Sequence, residues 1–211
     1  MDIIEHISRM VQEGRATEVE DGVRQALRDG IRAREILERG LVAGIAAASL
    51  KFRHDEIFVP QILVSTRAVN RGRAILEPYF PECDIKPLGI VVIGTVAGDL
   101  HDIGKNVVAM MLRGIGFTVF DIGINVPPER FVAAVQEHNA DIVGLSALLT
   151  TTLPSLERCV AAIKASGSSA KIIVGGAPVT QRLADRIGAD AYCSDANAAM
   201  DHAKRFVNAR S

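Results

Sequence analysis

Asp99 and His101, in the stretch TVAGDLHDIGKNVV (residues 95–108), are the pair whose types and spacing point most directly to chemistry. On an extended loop, residues two apart point the same way, so the carboxylate can reach the imidazole. A carboxylate on one ring nitrogen fixes the tautomer and leaves the other nitrogen bare, a common arrangement behind a metal-bound histidine. The same pair has a plainer reading, in which Asp99 caps the following helix and His101 is a solvated loop residue. One histidine without companion ligands cannot build a protein-only metal site. A metal held by His101 must therefore arrive with most of its other ligands already in place.

Other chemistries fit less well. No G-x-G-x-x-G follows the first apolar run. A phosphate loop needs four residues between its glycines, whereas five separate Gly98 from Gly104, and Asn106 stands where Ser or Thr should hold magnesium. Cys83, Cys159 and Cys193 lie far apart and form no C-x-x-C pair, so they read as small apolar packing residues in a reducing compartment.

The elements that must position the pair change character along the chain. Residues 1–80 show helical periodicity, with Val19, Val23, Ala26 and Leu27 on one stripe and Leu37, Leu41, Gly44, Ile45 and Ala48 on another. Gly14 and Gly30 suit helix ends, and Pro60 suits the first turn of a fourth helix. This predicts a helical cap domain over 1–80. The stretch PYFPECDIKPL (78–88) carries three prolines and breaks the pattern, placing a linker at 81–88. From Gly89, short β-branched runs alternate with helical ones: GIVVIGT, FTVFDIG, DIVGLSA, KIIVGG and DAYCS are the strands. Five strands and five helices predict an α/β domain over 89–211, a parallel sheet covered on both faces. Five strands favour the flavodoxin-like order over the six-stranded dinucleotide order.

In such a sheet, ligands bind beyond the carboxyl ends of the strands. GDLHDIG after the first strand, SALLTTT after the third and GGAP at the fourth would converge on one rim. The 24 basic and 25 acidic residues give a formal net charge of −1, so bulk charge recommends neither nucleic acid nor an anionic membrane as partner. The N-terminus lacks a signal-peptide layout and no apolar run reaches membrane-spanning length, so the sequence reads as a cytoplasmic protein.

Taken in order, Asp99-x-His101-x-x-Gly104, Ser146-x-Leu148 and Gly175-Gly176 resemble the three-part signature of cobalamin-binding domains. In that family the dimethylbenzimidazole tail leaves the cobalt and a histidine replaces it. The resemblance extends through SLKFRHDEIFVPQILVSTRAVNRGRAILEPYF to the helical cap of the corrinoid proteins of methyltransferase systems and of the cobalamin module of methionine synthase. It implies an N-terminal four-helix bundle cap followed by a Rossmann-like, flavodoxin-like five-stranded parallel sheet, with cobalamin as cofactor.

The resemblance also implies roles. His101 would be the lower axial cobalt ligand and Asp99 would hold its other ring nitrogen. Thr152 stands where the family places a relay serine, keeping the hydroxyl. Gly98, Leu100, Asp102, Ile103 and Gly104 would form the cofactor loop around them. Ser146, Leu148 and Thr150 would line the groove for the nucleotide tail, Gly175 and Gly176 would let it approach the backbone, and Ala196 would offer a backbone contact. Phe58 would cover the upper corrin face, or is a core residue at a helix start. Such a chain would carry a methyl group from a donor-specific methyltransferase to an acceptor methyltransferase that uses tetrahydrofolate or a thiol. Proton uptake through Asp99 and Thr152 would let the histidine leave and return, and a reductive activase would be a further partner. Two relatives of the same signature compete with this reading: the cobalamin subunit of an adenosylcobalamin mutase, and a cobalamin-based sensor.

Overall fold

The computed structural model describes residues 2–54, 56–80 and 87–209. The chain folds as two compact units, Met1–Pro87 with Arg113–Gly116, and Leu88–Leu112 with Phe117–Ser211. The expected linker at 81–88, with Cys83 inside it, lies outside the described residues except for Pro87 and Leu88. No helix among the described residues is long and apolar enough to cross a membrane.

The first unit holds α1 (Ile3–Gln12), α2 (Ala16–Arg28), a third helical stretch and α5 (Val59–Leu76). Asp2 caps α1, its side chain accepting from the Ile4 N–H at 3.2 Å. Gly14 and Gly30 follow the ends of α1 and α2 with positive φ, as helix-stopping glycines do. The third stretch runs α3 (Ala33–Glu35), a π-helical segment (Ile36–Val42) and α4 (Ala43–Arg53). The buried row of this stretch starts one residue earlier than expected. Ile36 rather than Leu37 is fully buried, followed by Gly40, Leu41, Gly44, Ile45 and Ala48.

The second unit is a doubly wound sheet of β1 (Ile90–Thr95), β2 (Thr118–Asp121), β3 (Ile142–Ser146), β4 (Lys171–Gly175) and β5 (Ala191–Cys193). All pairings are parallel and the order is β2-β1-β3-β4-β5. The connecting helices are α6 (Ile103–Gly114), α7 (Pro128–Glu137), α8 (Leu153–Ala165), α9 (Gln181–Ile187) and α10 (Ala196–Asn208). Val92, Val143, Leu145, Ile172 and Val174 share one core cluster with Phe131, Leu156, Cys159 and Leu183 of the covering helices. The alternate strand residues Val91, Ile93, Ile142 and Ile173 are buried on the opposite face. Full burial of one such aliphatic side chain stabilises the fold by about 1.5–3 kcal/mol. Cys159 and Cys193 are buried free thiols, and burial pushes both up to about 12, so they pack as apolar residues.

Register places the site. Thr95 pairs with Ser146, Ser146 with Gly175 and Gly175 with Cys193. One row across four strands thus ends at the same carboxyl edge, and the loops leaving it belong to the segments singled out in the sequence.

Candidate functional site: a buried aspartate behind an exposed histidine

The loop after β1 is built by a turn. The Asp99 N–H donates to the Val96 carbonyl at 3.1 Å, with Gly98 at φ +86° in the position where such turns need a positive angle. Gly98 donates its own N–H to Asn125 Oδ1 at 2.8 Å, and Asn125 donates its N–H to the Asp99 carbonyl at 3.0 Å. Thr95 Oγ1 donates to the His101 carbonyl at 2.8 Å, drawing the far end of the loop back onto the strand.

Asp99 is fully buried by this fold. Its Oδ2 accepts from the Leu148 N–H at 2.6 Å, the Leu149 N–H at 3.3 Å and Thr152 Oγ1 at 2.9 Å. Its Oδ1 accepts from the His101 N–H at 3.1 Å and lies 2.8 Å from His101 Nδ1. Burial alone would push this carboxyl up. The hydrogen bonds from Leu148, the His101 ring, the His101 amide and Thr152 outweigh it and hold the group well below the usual carboxylate range. Asp99 is therefore an anion at neutral pH, an acceptor only, and its neighbour must present an N–H. In the neutral ring the proton is therefore on Nδ1 and Nε2 carries the lone pair, on a side chain that is 50% exposed.

The plainer reading of Asp99 as a helix cap does not hold. None of its donors belongs to α6. Asp102 takes the capping place instead, its carbonyl accepting from the Asn106 N–H at 2.7 Å and its side chain from Asn106 Nδ2 at 3.0 Å. Thr152 Oγ1 also lies 2.8 Å from the Leu149 carbonyl, so its one proton serves two acceptors.

The remaining expected residues lie as follows. Ser146 ends β3 and Thr150 is exposed in the short 3-10 turn Thr150–Thr152. Gly175 packs close to β5, with its missing Cβ 3.0 Å from the Cys193 carbonyl oxygen. Gly176 has φ +124°, and a Cβ there would fall 1.9 Å from the Ala147 carbonyl oxygen. Ala196 is buried at the start of α10 behind the capping Asp195. Phe58, in the helical unit, precedes α5 and is 66% exposed, its N–H donating to Gln61 Oε1 at 2.7 Å, so the core reading of Phe58 is corrected.

The sequence pointed to Leu100, Ile103 and Leu148 as site residues and missed Ile124 and Leu149 beside them. Leu100, Ile103, Ile124, Leu148 and Leu149 are all exposed. They lie on the loops that meet at Asp99 and at the first position of α6, and leave apolar surface near the imidazole, which marks a binding surface. Gly104 points the same way. Its φ is ordinary and no protein atom lies within 4 Å of where its Cβ would be, so the fold itself does not require glycine there. Among the described residues no group of three or more His, Cys, Asp or Glu could hold a metal ion. A lone imidazole in an apolar surround fits a metal carried in a flat organic macrocycle and no bare ion.

Comparison with known proteins agrees. A family model described as a B12 binding domain matches residues 89–204, and a second with the same description matches residues 3–77. The chain belongs to the B12-binding family. It is a corrinoid-binding protein of methyltransferase systems, and cobalamin is its cofactor. It is similar to dimethylamine corrinoid protein 1 of Methanosarcina acetivorans, with 42% identity over 176 residues, 82% of this chain and 83% of that one. The trimethylamine corrinoid protein of Methanosarcina barkeri is 40% identical over 193 residues, 90% and 89% of the two chains. Among solved structures, a cobalamin-binding protein from Desulfitobacterium hafniense DCB-2 superposes with TM-score 0.81 at 30% identity over 98% of each chain. The methanol:cobalamin methyltransferase complex MtaBC from Methanosarcina barkeri gives TM-score 0.89 at 27% identity, covering 98% of this chain and 80% of that one.

A B12-binding site also explains the unneeded glycine. Gly104→Ala is expected to leave the melting temperature of the apo protein unchanged or slightly raised, since alanine is the better helix former by about 0.5–1 kcal/mol. Cobalamin affinity should fall in the same variant. Titration with hydroxocobalamin beside a thermal melt checks both halves of the expectation.

Proposed function

We propose that this protein is a methyl carrier whose cobalamin would be held base-off, with His101 Nε2 as the ligand the chain supplies to the metal, and that it serves in turn a donor-specific and an acceptor methyltransferase. The observation that carries the reading is the 2.8 Å contact between His101 Nδ1 and the buried, ionised Asp99, which leaves Nε2 as the only ring nitrogen with a free lone pair. The corrinoid supplies a metal centre that takes up and gives up a methyl group. The chain supplies a ligand of fixed tautomer whose orientation is set before the cofactor arrives. Leu148, Leu149 and Thr152 keep Asp99 anionic. Asp99 in turn makes His101 a stronger donor and steadies the imidazolium formed if Nε2 takes a proton when it lets go of the metal. That proton resides on the ring, with the carboxylate as its counter-charge. Ser146, Leu148, Thr150, Gly175, Gly176 and Ala196 are proposed to accommodate the nucleotide tail along the row of strand ends.

The relatives favour a carrier over a mutase subunit or a sensor, because proteins named as methylamine corrinoid proteins match over 82% and 90% of this chain, which takes in much of the helical half. Relatives named for two different amines match at 42% and 40% identity. Near-equal similarity is what results if the donor is chosen by the partner methyltransferase and not by the carrier. The acceptor enzyme, using tetrahydrofolate or a thiol, and a reductive activase complete the proposed set of partners.

His101→Ala tests the reading. The variant, loaded with cobalamin, should lose the visible and EPR features of a nitrogen lower ligand while its far-UV circular dichroism stays that of the parent. Spectra identical to the parent's would remove His101 from the metal and the carrier mechanism with it.

A further inference from the structure

Among the described residues, the buried ionisable side chains other than cysteine are Asp99 and Lys105. The carrier mechanism uses the first and gives the second no task. Lys105 lies in the first turn of α6 and is 4% exposed. A desolvated ammonium is tolerated only where partners meet its protons. Lys105 Nζ meets two. It forms an ion pair with Asp121 at the end of β2, and it donates to Asn106 Oδ1 at 2.7 Å.

Each partner leads back to His101. On one side, Asn106 Nδ2 donates to Asp102 Oδ2 at 3.0 Å, fixing the residue next to the histidine. On the other, Asp121 Oδ1 accepts from the Gly123 N–H at 3.0 Å, and the Gly123 carbonyl accepts from the Thr95 N–H at 3.0 Å. Thr95 then holds the His101 carbonyl through its hydroxyl. The same 121–125 loop carries Asn125, whose side chain and amide hold Gly98 and Asp99. Asn125 is there in a left-handed conformation, φ +53°, which a bulkier residue would resist. Lys105 is therefore the point at which both ends of the histidine loop are tied.

We propose that Lys105 is a positioning residue for the metal ligand: with Asp121 it clamps the 98–102 loop so that Nε2 of His101 keeps its aim while the ring is off the metal. The proposal rests on His101 being the lower ligand. It differs from a plain stabilising role, because the clamp would preserve the Asp99–His101 geometry even in protein that is otherwise folded.

The test uses the full chain with Lys105→Met, Lys105→Arg, Asp121→Asn and His101→Ala. In apo protein with 15N-labelled histidine, Lys105→Met should speed exchange of the His101 Nδ1 proton at least about tenfold. With hydroxocobalamin, the apparent dissociation constant should rise about 10–100-fold, the usual cost of losing a group behind a metal ligand, and the nitrogen signature in the EPR spectrum should weaken. Lys105→Arg, which keeps the charge, should recover most of the loss. Asp121→Asn should resemble Lys105→Met, and the double variant should add little, since the two act as one unit. If His101→Ala leaves the spectra unchanged, the carrier reading fails whatever Lys105 does. If His101→Ala abolishes nitrogen ligation but Lys105→Met lowers only the melting temperature, with proton exchange and cobalamin affinity as in the parent, the clamp is refuted. Should Lys105→Met not fold, Asn125→Ala severs one arm without leaving a buried charge, and parent-like ligation in that variant refutes the clamp as well.

Discussion

Gly176→Ala is expected to lower the melting temperature of the apo protein on the order of 10 °C and to abolish cobalamin binding. Two penalties act together. At φ +124° a side chain is strained, which costs about 1–3 kcal/mol. The added Cβ also falls 1.9 Å from the Ala147 carbonyl oxygen and 2.7 Å from its carbon. Overpacking of this kind costs about 1–3 kcal/mol when neighbours can yield. Here the neighbour is backbone held on both sides. The Ala147 N–H donates to the Gly175 carbonyl at 3.1 Å, and the next amide, Leu148, is committed to Asp99. Moving Ala147 aside therefore loosens the cradle that keeps Asp99 ionised, so a packing defect at β4 becomes a defect at His101. A thermal melt by circular dichroism and a hydroxocobalamin titration give the answer. A variant that melts within a degree or two of the parent would mean that the 147–148 backbone is not fixed as described. Gly104→Ala, a glycine of the same signature with open space around it, serves as the contrasting control.

The contrast between these glycines shows what a sequence reveals and what it conceals. Periodicity was enough for the architecture, because β-branched runs such as GIVVIGT and KIIVGG alternate with amphipathic helices, and five strands allow few orders. The Asp99–His101 pairing was legible because both residues sit on one extended loop. The other donors to Asp99 were not. The Leu148 and Leu149 amides lie 49 and 50 residues away and become partners only through the register of β1 with β3. Lys105 reads in sequence as one more charged residue on a helix, and its burial follows from β2 ending in Asp121 beside it. Leu100 and Ile103 were placed at the site by the signature alone, and their exposure, 78% for Ile103, follows from the fold. In the helical unit, Ile36 and Leu37 are adjacent apolar residues that each continue a helical stripe, through Gly40 or through Leu41, and the fold buries Ile36.

Asp99→Asn should reverse the tautomer of His101 and with it remove the lower ligand, while leaving most of the fold standing. A carboxamide has one accepting oxygen and one donating nitrogen. Three donors converge on Oδ2 and two, both from His101, on Oδ1. The side with two backbone amides and a hydroxyl claims the oxygen, so the new NH2 faces the imidazole. Nδ1 must then accept, the ring proton moves to Nε2, and no lone pair is left for a metal. Cobalamin affinity should drop about 10–100-fold, with spectra like those of His101→Ala, and 15N-histidine NMR of the apo protein should show the proton on Nε2. The facing NH2 and His101 N–H, now both donors, should destabilise the fold by about 1–3 kcal/mol at pH 7. This gap has a definite pH dependence. The folded state holds Asp99 below its ordinary value, so its contribution is complete above the unfolded value of about 3.9 and is lost as pH falls through the folded one. Asparagine does not titrate, so urea unfolding of the two apo proteins should give a difference that shrinks steadily below about pH 4, as Asp99 takes up its proton. A difference independent of pH, or a proton still on Nδ1 in the variant, would mean that the buried carboxylate does not govern the histidine.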